Sequence, residues 1–514
     1  MINEIVYMSA LFFTGSLFIS AFSLGRFASP TLGFIAGTAI QITVGTLLLM
    51  TTRPILPVIV ALCSFTASIV LLLFMKRSSL IRSLNLTNIF KCGVYTIASV
   101  LFVSVAVGLL FNEGWAKYSS DSFRYLKLAH EMSHDGVTVF SGGELITGLF
   151  GASLMHLPAT MNRELYVRSV FPILSVSVIL ALMWFIYRGC QKRVNPTKTI
   201  IFMVLAGLLL ISINRYVFTS FYIHTHMICA AMTLVVSACG WLMIHDKKEY
   251  QSGYLAVLSV ALFALIVTRA ESAIIGIFLL IPLISSEKTI TIRQKQVLLL
   301  AYGIPTTLYY GFVIFILGGN ISDIINADIL GMGSFAPIIY CMLGILAICL
   351  AFLLKVLYNL KLFAYLAGRA TIIAECGLWL FLLIYYVTDA WLLRLTITAF
   401  YYLFVVGEGA WGLSVVFLAI VTLLILLFVK NPEGMTALRF PVTIFVPIMM
   451  VSTHLQGGPP RVGPGGSFNR MLIQIVPLLV LFIIMSAALG ESRFFKRNDA
   501  NEEIQVDEEK TGVV

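Results

Sequence analysis

The sequence predicts an all-α fold: a polytopic transmembrane helical bundle of about 13–15 spans, with interfacial helices in one large early extracytoplasmic loop. Only 11% of the 514 residues are charged, which is less than half the usual share in a soluble domain. The mean hydropathy is +0.98, so most of the surface must face lipid. The net charge of +10 therefore indicates basic cytoplasmic loops rather than binding to nucleic acid.

Apolar runs recur along the whole chain and predict the individual elements. A full span needs about 20 apolar residues, so we expect the shorter runs to be tilted, broken or re-entrant. The runs are Ile5–Phe22, Leu32–Met50, Ile55–Met75, Cys92–Phe111, Val167–Tyr187, Ile200–Ile213, Met227–Ile244, Tyr254–Val267, Ala273–Ile284, Val297–Leu317, Ile338–Leu357, Ala370–Val387, Leu413–Val429, Phe440–Val451 and Met471–Leu489. Leu392–Val406 is a further run whose type the pattern leaves open.

Basic residues between these runs predict the orientation of the chain. They fall in alternate loops: Lys76, Arg77, Arg82 and Lys91; Arg188, Lys192, Arg193 and Lys198; Lys247 and Lys248; Arg293 and Lys295; Lys355, Lys361 and Arg369; Lys430 and Arg439; and Arg493 to Arg497. Because cytoplasmic loops carry the excess of Lys and Arg, this side is predicted to be cytoplasmic. The loop Trp115–Glu164 then lies outside. We expect a multi-pass protein of the plasma (inner) membrane with its active site on the extracytoplasmic side.

Composition also divides the chain into three segments. Residues 1–91 hold N-terminal spans and a cytoplasmic loop, residues 92–490 form the core with its outer loop 113–166, and residues 491–514 are an acidic cytoplasmic tail. We expect the tail to be disordered. The 8 cysteines lie mostly inside apolar runs, where they act as small apolar residues, so no metal ligand is assigned to them.

The outer loop Trp115–Glu164 is the longest polar stretch and predicts a helix on the membrane surface. A serine caps the helix, and its apolar stripe is Phe123 or Tyr125, then Leu128, Ala129 and Met132. Asp121, in the first turn, either takes a proton from an acceptor hydroxyl as a general base or only stabilises the helix N-terminus. Glu131, His134 and Asp135 provide either a second acidic position or a loose metal site.

Three arginines in the outer loops are candidates for binding a phosphate. Arg269 stands with Glu271 between two closely joined apolar runs, where the pair forms either an anchoring salt bridge or part of a wet cavity. Arg461 and Arg470 belong to a Gly-rich loop that offers backbone N–H groups, and Arg470 is alternatively a headgroup anchor. His454 is a wall residue or a donor. A further outer group is interpreted as the interfacial aromatic belt: Asn214, Arg215, Tyr216, Tyr222, His224 and His226.

Several short motifs together resemble the membrane-embedded GT-C glycosyltransferases of the dolichyl- or undecaprenyl-phosphate mannosyl- and arabinosyltransferase type. The residues that carry the resemblance are Asp121, Tyr125, Ala129 and Gly136 in the outer loop, Thr268, Arg269 and Glu271 between mid-chain spans, and Arg470 with Pro477 at a late span. Two features depart from that family. Three spans precede the expected first one, and Met471 stands where an aromatic residue usually follows the arginine.

The resemblance implies a transferase that moves a sugar from a polyprenyl-phosphate carrier to a lipid, glycan or protein acceptor among the membrane lipids. It implies Asp121 as the catalytic residue, with Glu131, Asp135 and Glu144 as candidates for a second acidic position. Arg269, Arg461 and Arg470 would bind the phosphate, supported by Tyr125, Glu271 and His454. No cofactor is required by this chemistry, although a divalent cation stays open, and no residue is assigned to a metal.

Two alternatives stay open at this stage. A lipid-linked glycan polymerase or ligase is similarly polytopic, but it has its large outer loop late in the chain and works with Arg and His. A transporter or flippase of lipid-linked sugars would need charged residues inside spans near the midplane of the bilayer. Glu375 is the main such residue, and Asp389 lies nearer the outer end.

Overall fold

The computed structural model describes residues 2–22, 24–25, 27–75, 120–134, 154–155, 170–191, 193–222, 224–269, 271–286, 289–316, 336–432, 434–455 and 467–493. About 87% of the described chain is helical, in 19 α-helices. The helices are α1 Ile2–Ala21, α2 Ala28–Leu49, α3 Pro57–Met75, α4 Ser120–His134, α5 Val170–Cys190, α6 Pro196–Ile211, α7 Asn214–Phe221, α8 His226–His245, α9 Gln251–Thr268, α10 Glu271–Ser285, α11 Ile292–Ile316, α12 Ala336–Leu357, α13 Lys361–Gly368, α14 Ala370–Thr388, α15 Ala390–Phe400, α16 Ser414–Phe428, α17 Thr436–Leu455, α18 Ser467–Met471 and α19 Val476–Leu489.

Among the described residues, eight helices are long and apolar enough to cross a membrane, or up to ten if each of two bent pairs is one span. The bent pairs are α6 with α7, at 73°, and residues 468–474 with α19, at 47°. The prediction of an all-α, multi-pass membrane protein is therefore confirmed. The total of 13–15 spans stays a prediction, because the run Cys92–Phe111 lies outside the described part and five further apolar helices are only 10–17 residues long.

Helix α8 is the centre of the bundle, with 94% of its membrane-crossing window buried. Its sequence alternates bulky residues with Ala, Ser, Cys and Gly, which let neighbouring backbones come close. The neighbouring helix α5 also contributes a small residue to this packing: a Cβ added to its Gly189 would lie 2.1 Å from the ring of Trp241 of α8. By contrast, α14 has only 11% of its window buried, and its exposed apolar side chains form a surface suited to lipid.

Helices α1 and α2 approach each other through glycines. A Cβ added to Gly37 would lie 1.9 Å from the carbonyl oxygen of Leu11, and one added to Gly15 would lie 1.9 Å from that of Gly33. Gly33 and Gly37 are four positions apart and so share one face of α2, which is the small-xxx-small arrangement of tightly packed transmembrane helices.

The basic loops are linked by contacts at one end of the bundle, here called the basic end (residues 188–198, 245–251, 291–295, 358, 428–434 and 491–493). Arg188 donates to Asp246 at 2.6 Å, and Gln294 donates to Gln251 at 3.0 Å. The strand β1 (Val429–Lys430) pairs antiparallel with β2 (Glu491–Ser492). The loops predicted to be external meet at the opposite end, where α4, α7, the turn at residues 268–271 and α18 lie close together. Which end faces the cytoplasm stays a prediction from the charges.

The surface helix predicted after Ser119 or Ser120 is α4, which begins at Ser120. Tyr125 and not Phe123 belongs to its apolar stripe: Tyr125 is 2% exposed and Phe123 is 61% exposed. The stripe is buried against the rest of the protein, with Met132 fully buried. The backbone carbonyl of Met132 also accepts a hydrogen bond from the Ile55 N–H at 2.9 Å. Contacts within the protein therefore hold the helix that carries Asp121.

We expect Gly37→Ala to destabilise the protein by about 1–3 kcal/mol, because the new methyl group must displace the backbone of α1. The matched control is Gly377→Ala, since a Cβ on Gly377 of α14 meets nothing within 4 Å. Thermal unfolding of both variants in one detergent checks this. Equal melting temperatures for the two variants would show that the close approach of α1 and α2 is unimportant.

Candidate functional site

The opposite end contains a buried group of polar side chains, the arginine–histidine cluster, formed by Tyr125, Arg215, His224, Thr225, His226, Arg269, Glu271, Arg470 and Gln474. These residues come from five separate parts of the chain: α4, the α7–α8 segment, the α9–α10 turn, α18 and the 3-10 helix Leu472–Gln474. The cluster therefore exists only in the folded protein.

A chain of hydrogen bonds joins α4 to the turn before α10. The Tyr125 hydroxyl lies 3.3 Å from His224 Nε2, and His224 Nδ1 lies 3.2 Å from Thr225 Oγ1. Arg269 Nη1 donates to the same Thr225 oxygen at 3.1 Å, and Arg269 Nε donates to Glu271. These partners fit a neutral His224 with its proton on Nδ1, because Nε2 then accepts from the tyrosine.

Aromatic rings stack beside this chain. The His224 and His226 rings are nearly parallel, with centroids 3.9 Å apart and an interplanar angle of 6°. Tyr222 stacks on the other side of His224 at 5.4 Å, and Tyr125 meets His224 edge-on at 5.3 Å. His224 is 4% and His226 is 2% exposed. The interpretation of these residues as an interfacial belt is thus wrong for the two histidines, which lie inside the protein.

Arg269 and Glu271 form a salt bridge, with side chains that are 17% and 6% exposed. Burial lowers the pKa of Arg269, but the charge and hydrogen bond of Glu271, together with the smaller effects of Tyr125 and Cys229, outweigh burial and raise this pKa above its ordinary value. The sequence left open whether this pair is an anchoring salt bridge or part of a wet cavity, and the structure shows the salt bridge. The same arginine also belongs to a polar cluster, so anchoring and a role at a site coexist.

Three guanidinium groups surround His224. Burial lowers the pKa of His224 well below its ordinary value, and the charges of Arg269, Arg470 and Arg215 lower it further. His224 is therefore neutral at physiological pH. The described part of the cluster supplies three cations and the Glu271 carboxylate, which gives it a net positive charge and suits it to an anion.

Three buried polar atoms in the cluster have no hydrogen-bond partner among the described residues: Arg215 Nε, His226 Nε2 and Gln474 Oε1. Gln474 uses its other amide atom, since Nε2 lies 3.4 Å from His226 Nδ1. The guanidinium of Arg215 lies over the Phe218 ring, 5.1 Å from its centroid. Buried polar atoms of this kind are costly unless they are satisfied, and they offer two donors and an acceptor to a polar ligand.

Helix α18, which carries Arg470, is held by the segment after α15. Trp411 Nε1 donates to Asn469 Oδ1 at 2.6 Å, and the Phe400 and Phe468 rings lie 5.4 Å apart. The loop that presents Trp411 includes positive φ angles at Gly407 (89°), Ala410 (60°) and Gly412 (60°), so its backbone is sharply turned. Arg470 is thus placed by buried neighbours on both sides of it in sequence.

The structure brings four of the sequence-predicted site residues together: Tyr125, Glu271, Arg269 and Arg470. Glu131 lies on another face of α4, six positions after Tyr125, and pairs with Lys127 at 3.3 Å. The remaining candidates lie outside the described residues or have side chains that do: Asp121, Asp135, Glu144, His454 and Arg461. The α4 backbone places Asp121 one turn before Tyr125. Among the described residues, no three His, Cys, Asp or Glu side chains are grouped to hold a metal ion.

Five residues of the cluster were not predicted from the sequence as site residues: Arg215, His224, Thr225, His226 and Gln474. The available signal was the high density of Arg and His in a short connection between spans. The sequence offers no such signal for Gln474, because this residue stands within an apolar run.

Comparison with protein-family models, curated proteins and solved structures gives no match to this chain. Function must therefore be argued from the site.

We expect the free energy of unfolding to fall as pH decreases below about 6.5, by up to about 1.4 kcal/mol per pH unit for His224. The unfolded chain binds a proton on this residue in that range, whereas the folded protein keeps it neutral down to its lowered pKa. Above about 6.5 this contribution is fully present. Denaturant unfolding in mixed micelles between pH 5 and 7.5 measures the slope.

The matched variants for this measurement are His224→Gln and His130→Gln. His224→Gln should flatten the pH dependence, whereas His130 is exposed on α4, so His130→Gln should keep the wild-type slope. An unchanged slope in His224→Gln would contradict the burial of a neutral imidazole at this position.

Proposed function

We propose that this protein is a membrane-embedded glycosyltransferase that moves a sugar from a polyprenyl-phosphate carrier to an acceptor at the extracytoplasmic face. The observation that supports it is the meeting of Arg269, Arg470 and Tyr125, which are far apart in sequence, in one buried cationic cluster. Arg215 adds a third cation. The GT-C resemblance rests on three of these residues, and their contacts are independent of that resemblance.

The proposed donor suits a site at the end of a helical bundle. A polyprenyl chain dissolves among lipid-facing helices, while its phosphate stays at headgroup height, where the spans end. Guanidinium groups are the preferred partners of phosphate because they donate two parallel hydrogen bonds and keep their charge. Arg470, Arg215 and Arg269 would therefore bind the phosphate of the carrier.

In the proposed reaction, the acceptor oxygen attacks the anomeric carbon of the sugar and the bond from that carbon to the phosphate oxygen breaks. The hydroxyl proton passes to the Asp121 carboxylate, and polyprenyl phosphate leaves with the bonding electrons. Negative charge grows on the phosphate as this bond breaks. Preorganised arginines stabilise that charge without the reorganisation that water would need.

Tyr125 and His224 would act as positioning residues in this scheme. Their contact fixes α4 against the cations, and Asp121 is one turn away on the same helix. Because residues four positions apart lie on one face of a helix, the position of Tyr125 sets the face on which Asp121 stands. The hydrogen-bond chain through Thr225 then couples that face to Arg269.

The transporter alternative loses the two residues on which it depended. Glu375 lies in the second turn of α14, and both its oxygens accept from Arg439, at 3.2 and 2.8 Å. Asp389 caps α15 by accepting from the Leu392 backbone at 3.0 Å. Each therefore has a structural partner, which accounts for its charge without a substrate path through the middle of the bundle.

A lipid-linked glycan polymerase or ligase is a second candidate, because the cluster is rich in Arg and His, the residue types that such enzymes use. It would also take a polyprenyl-linked donor. The two candidates differ in the need for Asp121: the transferase requires this carboxylate as a base, while an enzyme that works with Arg and His does not.

We expect Asp121→Asn to lower the rate of polyprenyl-phosphate release by about 10²–10⁴-fold, since the amide cannot take the acceptor proton. The assay uses the full chain in nanodiscs with a panel of polyprenyl-phosphate hexoses and pentoses. Glu408→Gln, which changes an exposed carboxylate at the same end, should leave the rate unchanged. Full activity in a folded Asp121→Asn protein would reject the base and favour the polymerase or ligase.

We expect Arg470→Gln to lower kcat/KM for the same donors by about 10²–10³-fold, which is the usual loss when one donor to a developing anion is removed. Arg470→Lys should recover part of the loss because it restores the charge but not the bidentate geometry. The control is Arg394→Gln, since Arg394 is exposed on α15 at the same end. Equal kinetics for Arg470→Gln and Arg394→Gln would remove the arginine cluster from the reaction.

A further inference from the structure

A polar cavity lies at the basic end, at the other end of the bundle from the arginine–histidine cluster. Its volume is about 370 Å³, and it is lined by Arg188, Gly189, Gln191, Arg193, His245, Asp246, Lys247 and Tyr250. It lies where α5 and α8 both end. None of these residues takes part in the proposed transfer reaction.

One wall of the cavity is rigid. Asp246 Oδ2 accepts from Arg188 Nε and from the Tyr254 hydroxyl, each at 2.6 Å. Arg188 also donates to Gln191 Oε1 at 3.1 Å, and its guanidinium lies 4.2 Å from the centroid of the Tyr250 ring. The charge of Arg188 is thus balanced by Asp246, and this group forms the preorganised base of the cavity.

Two further cations give the cavity its excess positive charge. Arg193 Nη2 donates to the carbonyl oxygen of His245 at 3.1 Å, and Arg193 Nη1 donates to the ring nitrogen Nε2 of the same residue at 2.6 Å. Lys247 is exposed, and its contact with the exposed Glu249 at 3.6 Å is weak because solvent screens it. Arg193 partly caps the end of α8, which a cation does at many helix ends. The contacts with His245 use two of the five N–H groups of Arg193. They do not account for the cavity or for Lys247.

The surface beside the cavity favours a lipid as the source of the anion. Helix α6 begins at Pro196, three residues after Arg193, and an apolar row runs away from the cavity along its exposed side: Ile200, Ile201, Val204, Leu205 and Leu208, each 42–59% exposed. An acyl chain can lie along this row while its phosphate reaches the cations. Basic pockets between transmembrane helices bind anionic headgroups in this way.

We propose that this cavity is a binding site for the phosphate of an anionic phospholipid headgroup, held by Arg193 and Lys247 above the Arg188–Asp246 pair. The ligand is a phosphate monoester or diester that carries an apolar tail. The site is separate from the sugar-transfer site and does not depend on the proposed function.

The test measures lipid binding to the full chain purified into nanodiscs of phosphatidylcholine with or without phosphatidylglycerol, by native mass spectrometry after lipid titration. The double variant Arg193→Gln/Lys247→Gln should weaken phosphatidylglycerol binding by roughly tenfold or more, since each basic residue near an anionic surface contributes about a fivefold change. The matched control is Arg293→Gln/Lys361→Gln, which removes two exposed cations at the same end outside the cavity. It should change binding less than twofold.

Two further measurements separate loss of the site from loss of folding, and lipid from soluble phosphate. Lys247→Gln alone leaves the α8 cap intact and should weaken binding about fivefold, so a folding defect in the double variant does not decide the question. Inorganic phosphate at millimolar concentration should not displace the lipid. Displacement would show that the cavity takes soluble phosphate and would overturn the lipid assignment. Equal phosphatidylglycerol binding in the cavity and control double variants would overturn the site itself.

Discussion

The buried ion pair of Arg269 and Glu271 is the constraint on which the opposite end of the bundle depends. A guanidinium placed between two spans with almost no connecting loop is largely removed from bulk water, so its charge must be met mainly inside the protein. Glu271 provides the counter-charge, and Thr225 accepts one of the remaining N–H groups. Thr225 in turn orders His224, and His224 holds Tyr125. Helix α4 is therefore held in place by hydrogen bonds that begin at Arg269 and pass through Thr225 and His224 to Tyr125.

Helix α8 is the rigid element that makes this arrangement possible. Its first residue, His226, belongs to the cluster, and its last, His245, lines the cavity at the basic end. Between them the helix is almost wholly buried by the surrounding helices. Small residues on its surface permit close packing in a setting where lipid offers no hydrophobic drive for helices to associate. One straight helix thus fixes the separation of the two charged regions.

Sequence patterns predicted the elements well where a single apolar run made a single helix. The run Met227–Ile244 corresponds to α8 at His226–His245, and Ala273–Ile284 corresponds to α10 at Glu271–Ser285. The run Ile200–Ile213 was too short for a span, and the structure shows why: the chain bends by 73° into α7, which holds Arg215. Hydropathy shows where the run ends, because the polar Asn214 and Arg215 follow Ile213, but it does not show the direction in which the chain continues.

The candidate site was only partly predictable from the sequence. Arg269 could be singled out because a charge between spans is unusual in any sequence. His224 could not, since its depressed pKa comes from burial in the folded protein and, beyond that, from three arginines that belong to different segments. Gln474 looked like part of a span, and only its contact with His226 gives it a role. Periodicity reports on neighbours along one helix, whereas these residues meet across the fold.

The pairing of Arg269 with an internal carboxylate has a consequence for turnover. Under the proposed chemistry, a phosphate that binds this guanidinium competes with Glu271 for the same N–H groups. After the sugar has left, the carboxylate can reclaim the guanidinium, and the spent carrier is released into the lipid. Glu271 would thus limit product inhibition by keeping the affinity for polyprenyl phosphate moderate, so that one enzyme molecule can serve many carriers in succession.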